Sequence, residues 1–256
     1  MKKILSILLV LAMSVSVMAG CKDKAKQEQA STEETKQEKI TEEEKETEEK
    51  DSEKKTDKEK VEEIVEEYLE AVQDGDIEKA VEYITGDYKE EMEKQLDKEY
   101  VSENILKDIF SDLDVELDNV KDEGYEIYID ALKEMTKLTS NVEITEVSVD
   151  GDEASVTYTA EYYDENSIDS SEADEKMNEV IMEVFGISDT SAVLDFSELM
   201  GAVPEDEREE KAIEFFEKYM NCFVELCKQA DKKEKETEVT LVKEDGEWLI
   251  SEENDW

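Results

Sequence analysis

Apolar positions at helical spacing dominate the chain from residue 61 to residue 138. The first stripe follows the i, i+3, i+4, i+7, i+8, i+11 pattern of an amphipathic helix and consists of Val61, Ile64, Val65, Tyr68, Leu69 and Val72. Asp74-Gly75-Asp76 interrupts this stripe, and Asp76 is predicted to cap a second short helix that stops at Thr85-Gly86. Further helices are predicted across residues 88–98 and 101–113 and along a stripe formed by Tyr128, Ala131, Leu132, Met135 and Leu138.

The apolar period then changes to two, which is typical of a half-buried strand. The alternating apolar positions are Ala154, Val156, Tyr158, Ala160 and Tyr162. Asp150-Gly151 is predicted to form the two-residue turn of a hairpin, which places Val147 opposite Ala154. Val142 and Ile144 are out of phase with Val147, so we expect a bulge near Thr145-Glu146.

A second hairpin is predicted at the C-terminal end, where Asp245-Gly246 sets Leu241 opposite Ile250 and Lys243 opposite Trp248. Helical stripes lie between the two hairpins, at Met177 to Phe185 and, after Pro204, at Ala212 to Ala230. The predicted fold class is α+β, with N-terminal helices packed on an antiparallel sheet made of two hairpins and a helical insertion between the hairpins.

The first residues have the features of an export signal. Lys2 and Lys3 precede an apolar run over residues 4–17, which is too short for a permanent membrane span but suits a signal peptide. Met18-Ala19-Gly20-Cys21 resembles the lipobox of bacterial lipoproteins, and the resemblance implies a signal at residues 1–20 and two acyl chains on Cys21 as the first mature residue. Two chains anchor a protein stably to a membrane, so we expect a lipid-anchored protein facing outside the cytoplasm. The alternative is a plain secretory signal with an incidental cysteine.

Residues 21–60 are predicted to be a disordered charged tether, because Ile40 is their only large apolar residue. The acidity belongs to the predicted domain, residues 61–256. The chain has 30 basic and 76 acidic residues. The signal contains 2 of the lysines, and residues 22–60 contain 11 lysines and 15 acidic residues. The domain therefore has 17 basic and 61 acidic residues, a net charge of −44. Such a field repels nucleic acid and attracts cationic partners; the alternative is a solvated surface that favours solubility.

Histidine is absent, which excludes Ser-His-Asp and Cys-His chemistry and removes the commonest zinc ligand. Cys222 and Cys227 are five residues apart on one predicted helix, too far for a disulfide, and are expected to be small buried side chains. The acidic run of Asp112, Asp114, Glu116 and Glu123 is spaced like a calcium loop, but Leu117 stands where that loop needs glycine. We therefore predict no catalytic, cofactor or metal residue, and Cys21 is the single predicted site residue.

Three features together carry a family resemblance. They are the helix–turn–helix with Asp-Gly-Asp over residues 70–83, a hairpin, and the last strand, Leu-Val-Lys-Glu-Asp-Gly-Glu-Trp-Leu-Ile at 241–250. Together they resemble the uncharacterised Gram-positive lipoproteins with a nuclear transport factor 2-like, cystatin-like domain. The resemblance implies a cone-shaped fold with a pocket between sheet and long helix, and some members are ketosteroid-isomerase-like enzymes. The predicted helical insertion, residues 170–233, departs from the compact version of this fold and could fill that pocket.

The sequence is compatible with two classes of function. The first is a surface-anchored binding module whose ligand is cationic, belongs to the cell envelope or is small and apolar. The second is an isomerase- or hydratase-like enzyme with an Asp/Tyr pocket. The aromatic residues that would line such a pocket, or fill an ordinary core instead, are Tyr68, Tyr83, Tyr158, Tyr162 and Trp248. A solute receptor of a transporter is disfavoured, because alternating βαβ units are not visible.

Overall fold

A computed structural model describes residues 55–188 and 196–255. The predicted signal, Cys21 and most of the predicted tether lie outside the described residues. Helix α1 spans Asp57–Asp74 and therefore begins before the predicted domain boundary at Val61. Its start is fixed by a capping box, in which Thr56 and Glu59 each accept a hydrogen bond from the other's backbone N–H.

Gly75 ends α1 in the left-handed conformation with φ of 73°. A Cβ atom at this position would lie 2.6 Å from the Lys137 side chain and 2.9 Å from the Lys133 carbonyl oxygen, so both the backbone angle and the close approach require glycine. Asp76 then caps the second helix by accepting a hydrogen bond from the Lys79 N–H, which confirms its predicted role.

The remaining N-terminal helices follow in quick succession. They are α2 (Ile77–Glu82), α3 (Gly86–Leu96), α4 (Lys98–Val101), a π-helical turn (Ser102–Leu106), α5 (Lys107–Asp112) and α6 (Leu117–Thr136). The helix predicted over residues 101–113 is present through Asp112, and a π-helical turn lies within it. Gly124 on α6 lets this broken segment pack closely, since a Cβ there would lie 2.8 Å from the Phe110 ring.

The two predicted hairpins form one antiparallel sheet in the order β1-β2-β3-β4. The strands are β1 (Ser140–Asp150), β2 (Glu153–Tyr163), β3 (Lys232–Glu244) and β4 (Glu247–Asp255). In the second hairpin Leu241 pairs with Ile250 and Lys243 with Trp248, as predicted. Asp245 and Gly246 both have positive φ, which is the geometry expected of an Asp-Gly turn.

The predicted register of the first hairpin is wrong by two residues. Asp150 still pairs with Glu153, so the turn consists of Gly151 and Asp152, and Val147 lies opposite Val156 instead of Ala154. Gly151 takes the positive φ at the first turn position, which leaves Asp150 in the strand. A shift of two residues keeps every side chain on its predicted face, and the expected bulge is present between Ile144 and Glu146.

The insertion between the hairpins is helical, as predicted. It contains α7 (Ser170–Phe185), α8 (Phe196–Ala202) and α9 (Arg208–Gln229), with 3-10 turns at Glu165–Ser167 and Glu205–Glu207. Pro204 precedes the last of these turns and the long helix. The α+β plan of N-terminal helices, a four-stranded antiparallel sheet and helices between its hairpins is thus the architecture of the domain.

One sheet face and the helices share a single apolar core. The inward side chains of the two central strands are buried, and they are Ala154, Val156, Tyr158, Ala160, Val239 and Leu241. They belong to the same cluster as the buried stripe of α1 and the aromatic residues Phe215 and Phe216 of α9. Among the described residues, no helix is both long and apolar enough to cross a membrane.

Candidate functional site

A buried carboxylate lies under tyrosine hydroxyls at the end of β4. Glu253 is 8% exposed. Its Oε1 accepts a hydrogen bond from the Tyr158 hydroxyl at 2.5 Å, and its Oε2 accepts one from Tyr88 at 2.6 Å. The Tyr68 hydroxyl lies 3.2 Å from the same Oε2 and 2.9 Å from the Tyr88 oxygen. We call Glu253, Tyr68, Tyr88 and Tyr158 the tyrosine–glutamate cluster.

Each tyrosine hydroxyl has a single proton to donate, and this determines the directions of the hydrogen bonds in the cluster. Tyr88 gives its proton to Glu253, so its contact with Tyr68 requires Tyr68 to donate to the Tyr88 oxygen. Tyr68 therefore divides its proton between Tyr88 and Glu253, whereas Tyr158 directs its proton at Oε1. Tyr158 and Tyr88 are the principal donors to the carboxylate.

A bulge in β4 places Glu253 inside the protein. Trp248 and Ile250 point inward, so simple alternation would turn residue 252 inward and residue 253 outward. The pairing instead shifts between Thr240 and Leu241, and Ser251 is the extra residue on β4. Because one inserted residue reverses the alternation, Glu253 faces the core and Glu252 faces out.

The helices and β2 bring the tyrosines to this carboxylate. Tyr68 belongs to the buried stripe of α1, and Tyr158 is an inward position of β2. They are 2% and 1% exposed, respectively. Tyr88 comes from α3 and is half-buried, so the cluster reaches solvent on the α3 side.

Burial is the main cause of the electrostatic character of the cluster. It raises the pKa values of Tyr68, Tyr88 and Tyr158 well above the ordinary value of 10, and the charge of Glu253 raises them further. The three hydroxyls are therefore protonated donors at neutral pH. Their hydrogen bonds replace the water that the carboxylate loses on burial.

The five aromatic residues that the sequence suggested for a pocket do not all lie together in the structure. Tyr68 and Tyr158 belong to the cluster, and the Tyr162 hydroxyl lies 3.5 Å from that of Tyr158. Trp248 is buried elsewhere on the inner face, with the Lys243 ammonium 5.2 Å from its ring centre. Tyr83 is half-buried at the end of α2, where its carbonyl accepts the Ile250 N–H.

Sequence reasoning missed Glu253 and Tyr88. Glu253 is one of the domain's 61 acidic residues, and the bulge that turns it inward has no sequence signal beyond a strand position. Tyr88 lies in a predicted helix with little other apolar character. In both cases the interaction depends on contacts between segments that are about 165 residues apart.

The acidic run and the two cysteines considered from the sequence form no site in the described part of the chain. Asp114 of the acidic run forms an ion pair with Arg208 at 3.6 Å. Across residues 55–188 and 196–255, no group of three or more Cys, Asp or Glu side chains is arranged to hold a metal ion. Cys227 is fully buried, as expected, whereas Cys222 is half-buried; both are free thiols.

The outer face of the sheet has a different chemistry from the inner face. Its three central cross-strand rows are Glu143–Thr159–Glu236, Glu146–Thr157–Glu238–Asn254 and Ser148–Ser155–Thr240–Glu252. We call these 11 residues the outer sheet face. They are half-buried or exposed, and they include five carboxylates and no basic residue.

Comparisons with protein-family models, with curated proteins and with solved structures found no match. A fold of this class does not specify a function by itself. The two groups of residues described above, the tyrosine–glutamate cluster and the outer sheet face, are therefore the basis for assigning one.

Proposed function

We propose that this protein is a membrane-anchored, extracytoplasmic lipoprotein whose acidic domain acts as a binding module. The contrast between the two sheet faces is the observation that supports a binding role. The inner face is buried against helices, whereas the outer face presents a regular array of polar side chains to solvent. Sites for small substrates are concave and mostly apolar, so an exposed polar sheet face is better suited to contact with a macromolecule.

The anchor is the second part of this proposal, and it rests on the resemblance of residues 18–21 to a lipobox. Cys21 would carry two acyl chains, and residues 22–54 would separate the lipid from the domain. A random chain of this length spans roughly 30 Å, enough to hold the acidic domain away from an anionic membrane face.

Replacing the lipid-bearing thiol tests the anchor. In bacteria that express the full chain, wild-type protein is expected in the membrane fraction with fatty-acid label. Cys21→Ser is expected to lose the label and appear in the medium, while the matched control Cys222→Ser behaves as wild type. Retention of label and membrane association by Cys21→Ser would contradict the proposed anchor.

Crosslinking from defined surface positions tests the binding role. A photo-reactive residue in place of Thr159 would lie on the outer sheet face, and one in place of Glu126 would lie on the exposed side of α6. We expect intact cells to yield a discrete adduct from position 159 and none from position 126. Adducts from neither position, or the same adducts from both, would contradict a binding role for this face.

An isomerase- or hydratase-like enzyme is the second candidate function, and the tyrosine–glutamate cluster is the observation that favours it. A carboxylate next to protonated tyrosines combines a base with hydrogen-bond donors, the pair of roles that proton transfer next to a carbonyl requires. In the arrangement described, the donors point at Glu253 itself. A substrate would have to enter beside Tyr88 and take over these hydrogen bonds.

Deuterium exchange tests this second candidate directly. Full-length protein would be incubated in D₂O with small ketones and thioesters, and exchange of their α-protons followed by NMR. An enzyme that uses the cluster should catalyse exchange, Glu253→Gln should abolish it, and Tyr83→Phe, outside the cluster, should not affect it. Equal exchange with wild type and Glu253→Gln would remove this candidate.

A further inference from the structure

We propose that the outer sheet face is a docking surface for an extended, lysine- or arginine-rich segment of a partner protein. This inference rests on the proposed binding function and specifies the chemistry of the partner. Its starting point is an uncovered sheet face whose five carboxylates are Glu143, Glu146, Glu236, Glu238 and Glu252.

These carboxylates lack compensating cations within the described structure. Many of the described lysines pair with other carboxylates, as Lys133 does with Glu78 and Lys228 with Glu134. None of the ion pairs between described residues includes one of the five outer carboxylates. A binding partner that brings positive charge would therefore relieve repulsion on this face without first breaking an existing ion pair.

The regular spacing of the carboxylates favours an extended partner over a single ion. Along β3, Glu236 and Glu238 are two residues apart, which corresponds to about 7 Å on one face of a strand. Across the sheet, Glu146 and Glu238 are separated by Thr157 and so by about 10 Å. Calcium needs six or more oxygens at roughly 2.3–2.6 Å, which a grid of this spacing does not provide.

An extended basic segment matches this grid in both charge and geometry. In a strand-like peptide, every second side chain lies on the same side at about 7 Å spacing, so alternate lysines can each face a carboxylate. Thr157 lies between Glu146 and Glu238, and Thr159 lies between Glu143 and Glu236; their hydroxyls can accept hydrogen bonds from lysine ammonium or arginine guanidinium groups. A second copy of this chain is an unsuitable occupant, since its domain is itself strongly acidic.

The experiment compares two variants with equal net charge. The face variant changes the five outer carboxylates to glutamine. The matched helix variant changes five exposed helical glutamates that form no ion pair among the described residues, namely Glu90, Glu126, Glu175, Glu179 and Glu217. Because all the changed positions are exposed or half-buried, both variants should unfold at a temperature close to that of wild type.

The probe is decalysine, and binding to the full-length protein is measured by calorimetry at physiological salt. Wild type and the helix variant are expected to bind similarly, whereas the face variant is expected to bind about tenfold more weakly or worse, since several close charge contacts are lost together. In the NMR spectrum of wild type, decalysine should shift the amide signals of β2 and β3 more than those of α6. This second readout remains informative if the face variant fails to fold.

Three results would overturn the inference. Equal weakening in both variants would indicate attraction by net charge alone, and absence of decalysine binding to wild type would exclude a docking surface for this chemistry. If spermine or Mg²⁺ at matched total charge shifted the amide signals of β2 and β3 as much as decalysine does, an extended segment would not be required. A discrete crosslinked adduct from position 159 alongside any of these results would retain the binding role and reject only the basic segment as its ligand.

Discussion

Removal of the Tyr158 hydroxyl is the most informative single perturbation of the interior. Tyr158→Phe deletes one oxygen atom and leaves the buried ring in place, so no large cavity forms. The lost group donates at 2.5 Å to Oε1 of Glu253, whereas the other tyrosines of the cluster contact Oε2. The variant therefore leaves one oxygen of a buried carboxylate short of its closest donor.

The expected cost follows from the charge of the acceptor. A hydrogen bond to a charged buried group contributes about 1.5–3 kcal/mol, and we expect Tyr158→Phe to lower the free energy of unfolding by that amount. Tyr68→Phe should cost less, about 0.5–1.5 kcal/mol, because Tyr68 divides one proton between Tyr88 and a longer contact with Glu253. The predicted order, Tyr158 above Tyr68, depends only on the geometry of the cluster.

Urea denaturation of the full chain, followed by circular dichroism, measures both values from the transition midpoint and slope. The double variant Tyr158→Phe/Glu253→Gln tests the assignment further. If the two side chains interact directly, its cost should differ from the sum of the two single costs by more than about 0.5 kcal/mol. A Tyr158→Phe cost below about 0.5 kcal/mol, or a larger cost for Tyr68→Phe, would refute the proposed donor arrangement.

Three further predictions concern other parts of the domain. Hydrogen bonds from Lys60 and, second, Lys243 lower the pKa of Asp57 from 3.8 to about 2. Ionised Asp57 therefore stabilises the folded state above pH 4, and this contribution is lost as the pH falls towards 2. The difference in unfolding free energy between wild type and Asp57→Asn should shrink over the same pH range. Gly124→Ala should destabilise the domain by about 1 kcal/mol or more in thermal unfolding, because the new methyl group would lie 2.8 Å from the buried Phe110 ring. Burial raises the pKa of the Cys227 thiol to about 12, so maleimide should not label it until the protein unfolds.

Matched controls exist for the last two predictions. Gly201→Ala adds a methyl group in α8 with no atom within 4 Å, and it should leave stability unchanged or raised. Cys222 is half-buried on the same helix as Cys227 and should react first in the folded protein. Equal destabilisation by both glycine substitutions, or equal labelling rates of both cysteines, would contradict the packing described for these helices.

Local patterns in the sequence were sufficient for the α+β plan. The stripe from Val61 to Val72 predicted α1 because it depends only on residues within one helix. Asp245-Gly246 fixed the second hairpin because both turn residues adopt positive φ, a property of those residues themselves. The two helical stripes between the hairpins were recognised on the same basis.

The errors arose where a neighbouring segment decides the outcome. In the first hairpin, either Asp150-Gly151 or Gly151-Asp152 can form a two-residue turn, and the pairing of β1 with β2 selects the second. The π-helical turn at Ser102–Leu106 lies where this segment packs against α6, a contact that local periodicity does not report.

The candidate site was the least predictable part for the same reason. Tyr68 and Tyr158 were identified as inward aromatics, but the group that joins them is Glu253. Its inward orientation depends on Ser251, an extra residue in β4 that shifts the pairing of β4 with β3. The outer sheet face became apparent only when cross-strand register aligned the carboxylates of three strands in rows.

The state of Cys21 in the mature protein tests the central proposal, a lipid-anchored binding module, most directly. Intact-mass and peptide mass spectrometry of protein extracted from membranes should find Cys21 as the first residue, with a diacyl modification on its sulfur. An unmodified Cys21, or a mature chain that begins at another residue, would contradict the anchored module.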